Sequence, residues 1–220
     1  MGRAKLQRFK ELKDRQNVLQ DDKPIFANLK GNWNKEVFVK ALPITVEIGC
    51  GKGEYTVGLA QRYPEHNHVG VDVKGDRLWA GSTQAMAQKL DNAVFLRAQI
   101  QQIDQFFDVD EVDQLWITFP DPRPKDRDIK RRLTSPRYLK MYKEILKSEG
   151  VVNFKTDNQA LFEYTLEVLE ARSDIGELSY TFDLYSSDLQ VHTQGIKTNF
   201  EEKYLAMDTP IKYMRFKFKA

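Results

Sequence analysis

At 220 residues the chain has room for one domain with a sizeable core and is too short for two ordinary ones. Its 41% hydrophobic and 30% charged residues are those of a soluble globular protein; no run approaches the roughly 18 apolar residues that cross a bilayer, and the charged start MGRAKLQRFKELKDRQ lacks a signal-peptide core. One cysteine, Cys50, excludes an internal disulfide, so the expected location is cytoplasmic, and the net charge of +2 does not by itself suggest a nucleic-acid partner.

Residues 1–30 read as a basic N-terminal arm, mobile or marginally helical, ahead of a domain spanning 31–220; within it, 1–22 are helix-compatible and weakly amphipathic. PITVEIGC (43–50) is apolar and β-branched, the pattern of a buried parallel strand. GKGEYTVGLAQRYP (51–64) opens on glycines, takes up helical periodicity and stops at Pro64. HVGVDVK (68–74) is a second buried strand, followed by a helical DRLWAGSTQAMAQKL. AVFLRAQ (93–99) and DQLWITF (113–119) are the third and fourth strands. SPRYLKMYKEILK (135–147) carries Ser135 as an N-cap and Pro136 at the first helical position. GVVNFKTD (150–157) is a fifth strand and NQALFEYTLEVLEA a helix. LSYTFDLY and IKYMRFKF are late strands separated by a polar stretch and a short helical FEEKYLAM. Strand and helix in alternation specify an α/β fold, mostly parallel, with right-handed crossovers.

In such a sheet, ligands bind beyond the carboxyl ends of the strands, near the point where strand order reverses. The first strand ends in VEIGCGKGE, where Gly49 and Gly51 can adopt backbone angles denied to other residues and admit a ligand close to the main chain. Asp72, at the end of the second strand, is spaced to accept from ribose hydroxyls. A dinucleotide fingerprint would place glycine or alanine where Glu54 stands, and an acid there repels a pyrophosphate. Glu47 adds a second carboxylate. A cationic nucleoside cofactor, S-adenosylmethionine, tolerates these acids better than an anionic one does.

The stretch WITFPDPRPKDRDIKRRLT then stiffens Asp121 between Pro120 and Pro122 at the end of the fourth strand. The prolines fix their own φ and are expected to hold Phe119 and Asp121 extended. Positive charge follows. From Arg123 to Lys147, ten Lys/Arg face only Asp126, Asp128 and Glu144, a net +7 that leaves −5 for the remainder. Such concentration is a footprint for a polyanion, although a solvated helix face has the same composition.

FPDP, PKDRDIKRRL, NFKTD and TNFEEKY, in this order and spacing, resemble the bacterial tRNA (guanine-N7)-methyltransferases, and the likeness runs from PITVEIGCGKGE to IKYMRFKF. The resemblance implies a single Rossmann-like class I methyltransferase domain. Its mostly parallel seven-stranded sheet would have an antiparallel last strand and helices on both faces. It implies methyl transfer from S-adenosyl-L-methionine to N7 of guanosine 46 in the tRNA variable loop, with tRNA as partner, no membrane, and a monomer or homodimer. By matching position, Asp121 would be catalytic. The cofactor would be held by Glu47, Gly49, Gly51, Asp72, Gln99 and Asp121, and substrate by Lys125, Asp157, Thr198, Asn199, Phe200 and Glu201. Arg127, Lys130, Arg131 and Arg132 would contact RNA phosphates, while Lys5, Arg8, Lys10, Lys13 and Arg15 of the arm either add contacts or form a solvated tail. The chain departs from the family pattern at Arg123, usually tryptophan, at Asp128, often histidine, and at Asp72 and Gln99.

Two other readings stay open on the residues alone: methyl transfer to another RNA site, and a nicotinamide-dependent oxidoreductase on the same layered fold. His66, His68 and His192 are scattered, and with one cysteine they compose no metal site. Trp33, Trp79 and Trp116 read as core or pocket wall.

Overall fold

The computed structural model describes residues 3–219. Along the chain it forms α1 (Arg3–Asp14), β1 (Val18–Leu19), β2 (Ile44–Ile48), α2 (Glu54–Arg62), β3 (Asn67–Asp72), α3 (Gly75–Ala87) and β4 (Ala93–Arg97). There follow β5 (Val112–Thr118), α4 (Pro136–Ile145), β6 (Leu146–Thr156), α5 (Gln159–Glu170), β7 (Ile175–Thr181), α6 (Asn199–Leu205) and β8 (Lys212–Phe218). The strands make one sheet in the order β1-β4-β3-β2-β5-β6-β8-β7, in which β8 alone runs against the rest, bonded to β6 and β7.

Alternation within each strand sorts side chains onto two faces. Val46, Ile48, Leu115, Ile117, Phe154 and Met214 join α4 and α5 in one core, with Trp33 and Phe107 stacked at 4.8 Å. The intervening residues face α1, α2 and α3. There Phe95, Leu78 and Leu12 form one cluster, and Trp116, Tyr55 and Tyr213 another. The β2–α2–β3 unit leads to one side of β2 while β5 lies on the other, so the strand order reverses between β2 and β5. The crevice there lies between Gly49 and Phe119.

The expected seven strands gain an eighth. β1 is a two-residue strand in the basic segment, paired in parallel with Phe95 and Leu96. Two residues carry no readable alternation, and their strand character comes from the β4 edge they complete. Ahead of β1, α1 packs on α3: Leu12 is fully buried, and Arg15 donates to Trp79 O and to the hydroxyls of Ser82 and Thr83. Trp79 lies under the guanidinium groups of Arg8 and Arg15, 4.8 Å from each. Arg8, Lys10 and Lys13 are exposed, and the side chain of Lys5 lies outside the described residues. The late strand expected over 178–185 instead spans 175–181, because Asp183 accepts from Tyr185 N–H and starts a helical turn.

Candidate active site

The glycine loop after β2 forms one wall of a cleft at the carboxyl rim. Gly49, Gly51 and Gly53 all have positive φ (74°, 57° and 72°), a backbone course other residues adopt only under strain. A Cβ on Gly51 would meet nothing within 4 Å, so the loop presents open main chain there, whereas one on Gly53 would strike the Phe95 ring. The cleft is lined by Gly49 to Lys52, Glu54, Arg77 of α3, Thr118 and Phe119 from the end of β5, and Thr198 to Phe200 at the start of α6.

Behind this wall the carboxylates are already engaged. Asp72 Oδ2 accepts Gly51 N–H at 3.0 Å and its Oδ1 accepts Lys74 N–H at 2.8 Å. A carboxylate has about four acceptor sites, so these two bonds leave part of its capacity unfilled. Glu47, fully buried, accepts from Thr56 N–H (2.9 Å), from the Thr56 hydroxyl and from the Thr118 hydroxyl (2.7 Å). Burial outweighs these bonds and raises its pKa to about 7. Glu54 fastens the opposite wall, accepting Asn199 N–H at 3.0 Å and the Asn199 side-chain amide.

Phe119 does not take the extended backbone expected before a proline. Its φ is +48°, and Arg123, three residues past Pro120, has φ +46°. Phe119 N–H is tied to Lys155 O at 2.9 Å and its ring packs with the Trp116–Tyr55 cluster; these contacts hold the strained backbone. Between the two strained residues stands Asp121, its side chain 62% exposed. It accepts Arg123 N–H at 3.1 Å, and Arg123 Nε lies 3.3 Å from the other carboxylate oxygen. The braced aspartate is therefore held by its own loop, and its carboxylate is turned toward Arg123 and not onto the cleft wall.

The cations diverge in use. Lys125, Arg127 and Lys130 are exposed, and Arg131 pairs with Asp128 at 3.1 Å. Arg132 is spent inward: it donates to Pro122 O (3.2 Å) and Arg123 O (3.3 Å) and lies 4.3 Å over the Tyr164 ring. The next residue, Leu133, comes within 3.5 Å of a Cβ built on Gly49, which joins the basic segment to the glycine loop.

Of the remaining expected site residues, Gln99 is exposed just past β4, and Asp157 follows β6 with its carboxylate beside the Tyr204 hydroxyl. Thr198 caps α6 through a reciprocal pair with Glu201. Phe200 is 60% exposed at the cleft, while Glu201 is fully buried beneath it. Sequence reasoning did not single out Thr118, Thr56 or Arg77. A threonine inside a strand carries no functional signal until its partner Glu47 is known to be buried. Among the described residues no cluster of His, Cys, Asp or Glu is arranged to hold a metal ion, and no helix is long and apolar enough to cross a membrane.

A family model described as "Putative methyltransferase" matches residues 41–214. The tRNA (guanine-N(7)-)-methyltransferase of Cytophaga hutchinsonii is 42% identical over 219 residues, covering 99% of both chains. That of Christiangramia forsetii is 41% identical, again over 99% of each, and that of Listeria innocua 35% identical over 87% of each. Among solved structures, the 16S rRNA methyltransferase KamB aligns with a TM-score of 0.61 at 13% identity over 92% of this chain and 95% of that one. A 16S rRNA (adenine(1408)-N(1))-methyltransferase from Catenulisporales acidiphilia, solved with the cosubstrate SAM, aligns at 0.53 and 14%, over 82% and 87%. These structures share the fold. With the relatives above, the chain belongs to the bacterial tRNA (guanine-N7)-methyltransferase family.

Proposed function

We propose that this protein transfers the methyl group of S-adenosylmethionine to N7 of a guanine in tRNA, guanosine 46 of the variable loop, in the cytoplasm. The observation that carries this reading is that a carboxylate-backed cleft and a shelf of exposed cations open on the same rim, joined where Leu133 meets Gly49.

The residues present suit the cofactor. Open main chain at Gly51, beside Gly49, receives its body, Asp72 has acceptor sites for its ribose, and Gln99 stands at the next strand end for the base. Glu47 braces the cleft floor from behind through Thr56 and Thr118, Asp121 supplies negative charge from the rim against its sulfonium and ammonium, and Arg77 and Lys52 suit its carboxylate. When bound, S-adenosylmethionine supplies an electrophilic methyl group.

Guanine N7 carries an in-plane lone pair, so no base need remove a proton before attack. The protein's part is orientation, with reacting atoms held about 3–3.5 Å apart, and stabilisation of the cationic product. Asp121, fixed by its strained loop, acts as orienter and electrostatic stabiliser, and Asp157 can accept from the Watson–Crick edge. Phe200 offers an exposed ring for stacking, with Lys125, Thr198 and Asn199 around the base. Glu201, assigned to substrate by position, serves from beneath the wall. Arg127, Lys130 and Arg131 pair with phosphates, and Arg132 braces the Asp121 loop. Arg8, Lys10 and Lys13, exposed on α1 within the segment 1–30, add further cations for the RNA. Incubated with labelled cofactor and unmethylated bulk tRNA, the protein should yield label as 7-methylguanosine; label in a different nucleoside refutes the assignment.

A further inference from the structure

One ion pair lies entirely inside the protein below the cleft, and no methyl or proton transfer proposed above passes through it. Lys155 of β6 and Glu201 of α6 both have 0% exposed side chains, with Lys155 Nζ 2.6 Å from Oε1 and 2.8 Å from Oε2. Removing both charges from water is costly, and attraction compensates only where geometry and further hydrogen bonds are good. Those bonds are present. Glu201 Oε1 accepts the Tyr185 hydroxyl at 2.7 Å, and Oε2 accepts Thr198 N–H at 3.4 Å.

The pair's neighbours are the walls of the cleft. Lys155 O accepts Phe119 N–H at 2.9 Å, and the ammonium lies 5.1 Å from the Tyr55 ring centre and 6.0 Å from that of Phe119. Glu201 belongs to a helix of seven residues in which it is the only buried one. A helix so short does not hold itself together in water, and an apolar face would normally anchor it. Here a charge does. Thr198, Asn199 and Phe200, which line the cleft, are the cap and first turn of that helix.

We propose that Lys155 and Glu201 are positioning residues: their ion pair locks the Thr198–Phe200 wall to the Phe119 end of β5, assembling the cleft before ligand binds. This rests on the reading of the cleft as the cofactor site. An apolar pair would fill the space but would not fix the rotation of the first turn's anchor, whereas a carboxylate bonded to Lys155, Tyr185 and the Thr198 amide does.

The test uses the neutral pair Lys155→Met with Glu201→Gln, which leaves no lone buried charge. Its melting temperature should stay within a few degrees of wild type. Exchange of the 199–205 amides should accelerate at least tenfold, and the Kd for S-adenosylmethionine, read by calorimetry without tRNA, should rise at least fivefold. Either readout unchanged overturns the proposal and leaves the pair a stability element. Should the double variant not fold, Tyr185→Phe removes one donor from Glu201 and should shift both readouts two- to threefold; here too, an unchanged value of either one overturns the proposal. A wild-type protein that binds no S-adenosylmethionine would sink the cofactor reading, while the exchange rates would still decide the coupling.

Discussion

In the glycine-loop cleft each carboxylate already has protein partners, whereas along Lys125 to Lys130 the cations project into water. Glu47 has three donors, Asp72 two, and Glu54 holds both amides of Asn199. Lys125, Arg127 and Lys130 are exposed, and Arg131 has only a surface partner in Asp128. The first arrangement fits a small ligand whose atoms must be placed to a fraction of an ångström. The second fits a polyanion, where charges that keep their freedom release counterions and tolerate varied phosphate positions. Asp121 stands where the two regions meet, tied to the shelf through Arg123 and to the cleft through the strained Phe119.

The sharpest way to break this contrast is at that meeting point. Asp121→Ala should lower kcat at least about 100-fold, the scale of losing one preorganised charge at a reaction centre. Its melting temperature should move by no more than about 2 °C, because an exposed pair of this kind stabilises by at most about 1 kcal/mol. Turnover near the wild-type value would reduce Asp121 to a turn residue.

A smaller effect is expected on the shelf. Replacing Arg127, Lys130 and Arg131 with alanine should flatten the log–log salt dependence of tRNA binding by about 2–3, the slope of three phosphate contacts. Arg132→Ala should leave that slope almost unchanged, since its guanidinium is committed to the carbonyls of Pro122 and Arg123, and should reduce kcat instead. Equal slope changes for the two variants would erase the distinction between brace and shelf.

The smallest effect concerns the cleft floor. Glu47 titrates near 7 in the fold against about 4.5 when unfolded. Between these values the folded state binds the proton the unfolded state has lost, so stability falls as pH rises from about 4.5 to 7 and is level above. The full shift corresponds to about 3 kcal/mol. His68, held neutral by burial with a pKa lowered to about 4, has the opposite slope, its stabilisation being lost as pH falls from 6.5 to 4. Glu47→Gln isolates the first contribution: relative to wild type, its melting temperature should gain about 5 °C between about pH 5 and pH 8, and a constant difference would show that Glu47 does not ionise there.

How much of this was legible in the sequence follows from the range of the forces involved. β2 to β6 announced themselves because strands buried on both faces read as β-branched runs, and Gly49, Gly51 and Asp72 because loop geometry demands those residue types. The motifs FPDP and TNFE marked segments of which Phe119 and Thr198 to Phe200 line the cleft. What they could not convey was direction. Phe119 adopts positive φ, against the preference of a residue before proline, because Lys155 O and an aromatic cluster hold it there. Glu201 turns inward because Lys155, 46 residues earlier, is waiting for it. Arg132 is one of three consecutive cations in sequence and unlike its neighbours only in three dimensions. β1 exists because an edge of β4 needed covering. Each of these depends on a partner distant in the chain.

The most direct measurement is the position-resolved form of the methylation assay, on a single tRNA transcript with guanosine or adenosine at position 46. The guanosine transcript should acquire one methyl group, mapped to N7 of residue 46, and the adenosine transcript none. Equal methylation of both transcripts, or a methyl group on any other base atom, would contradict the account.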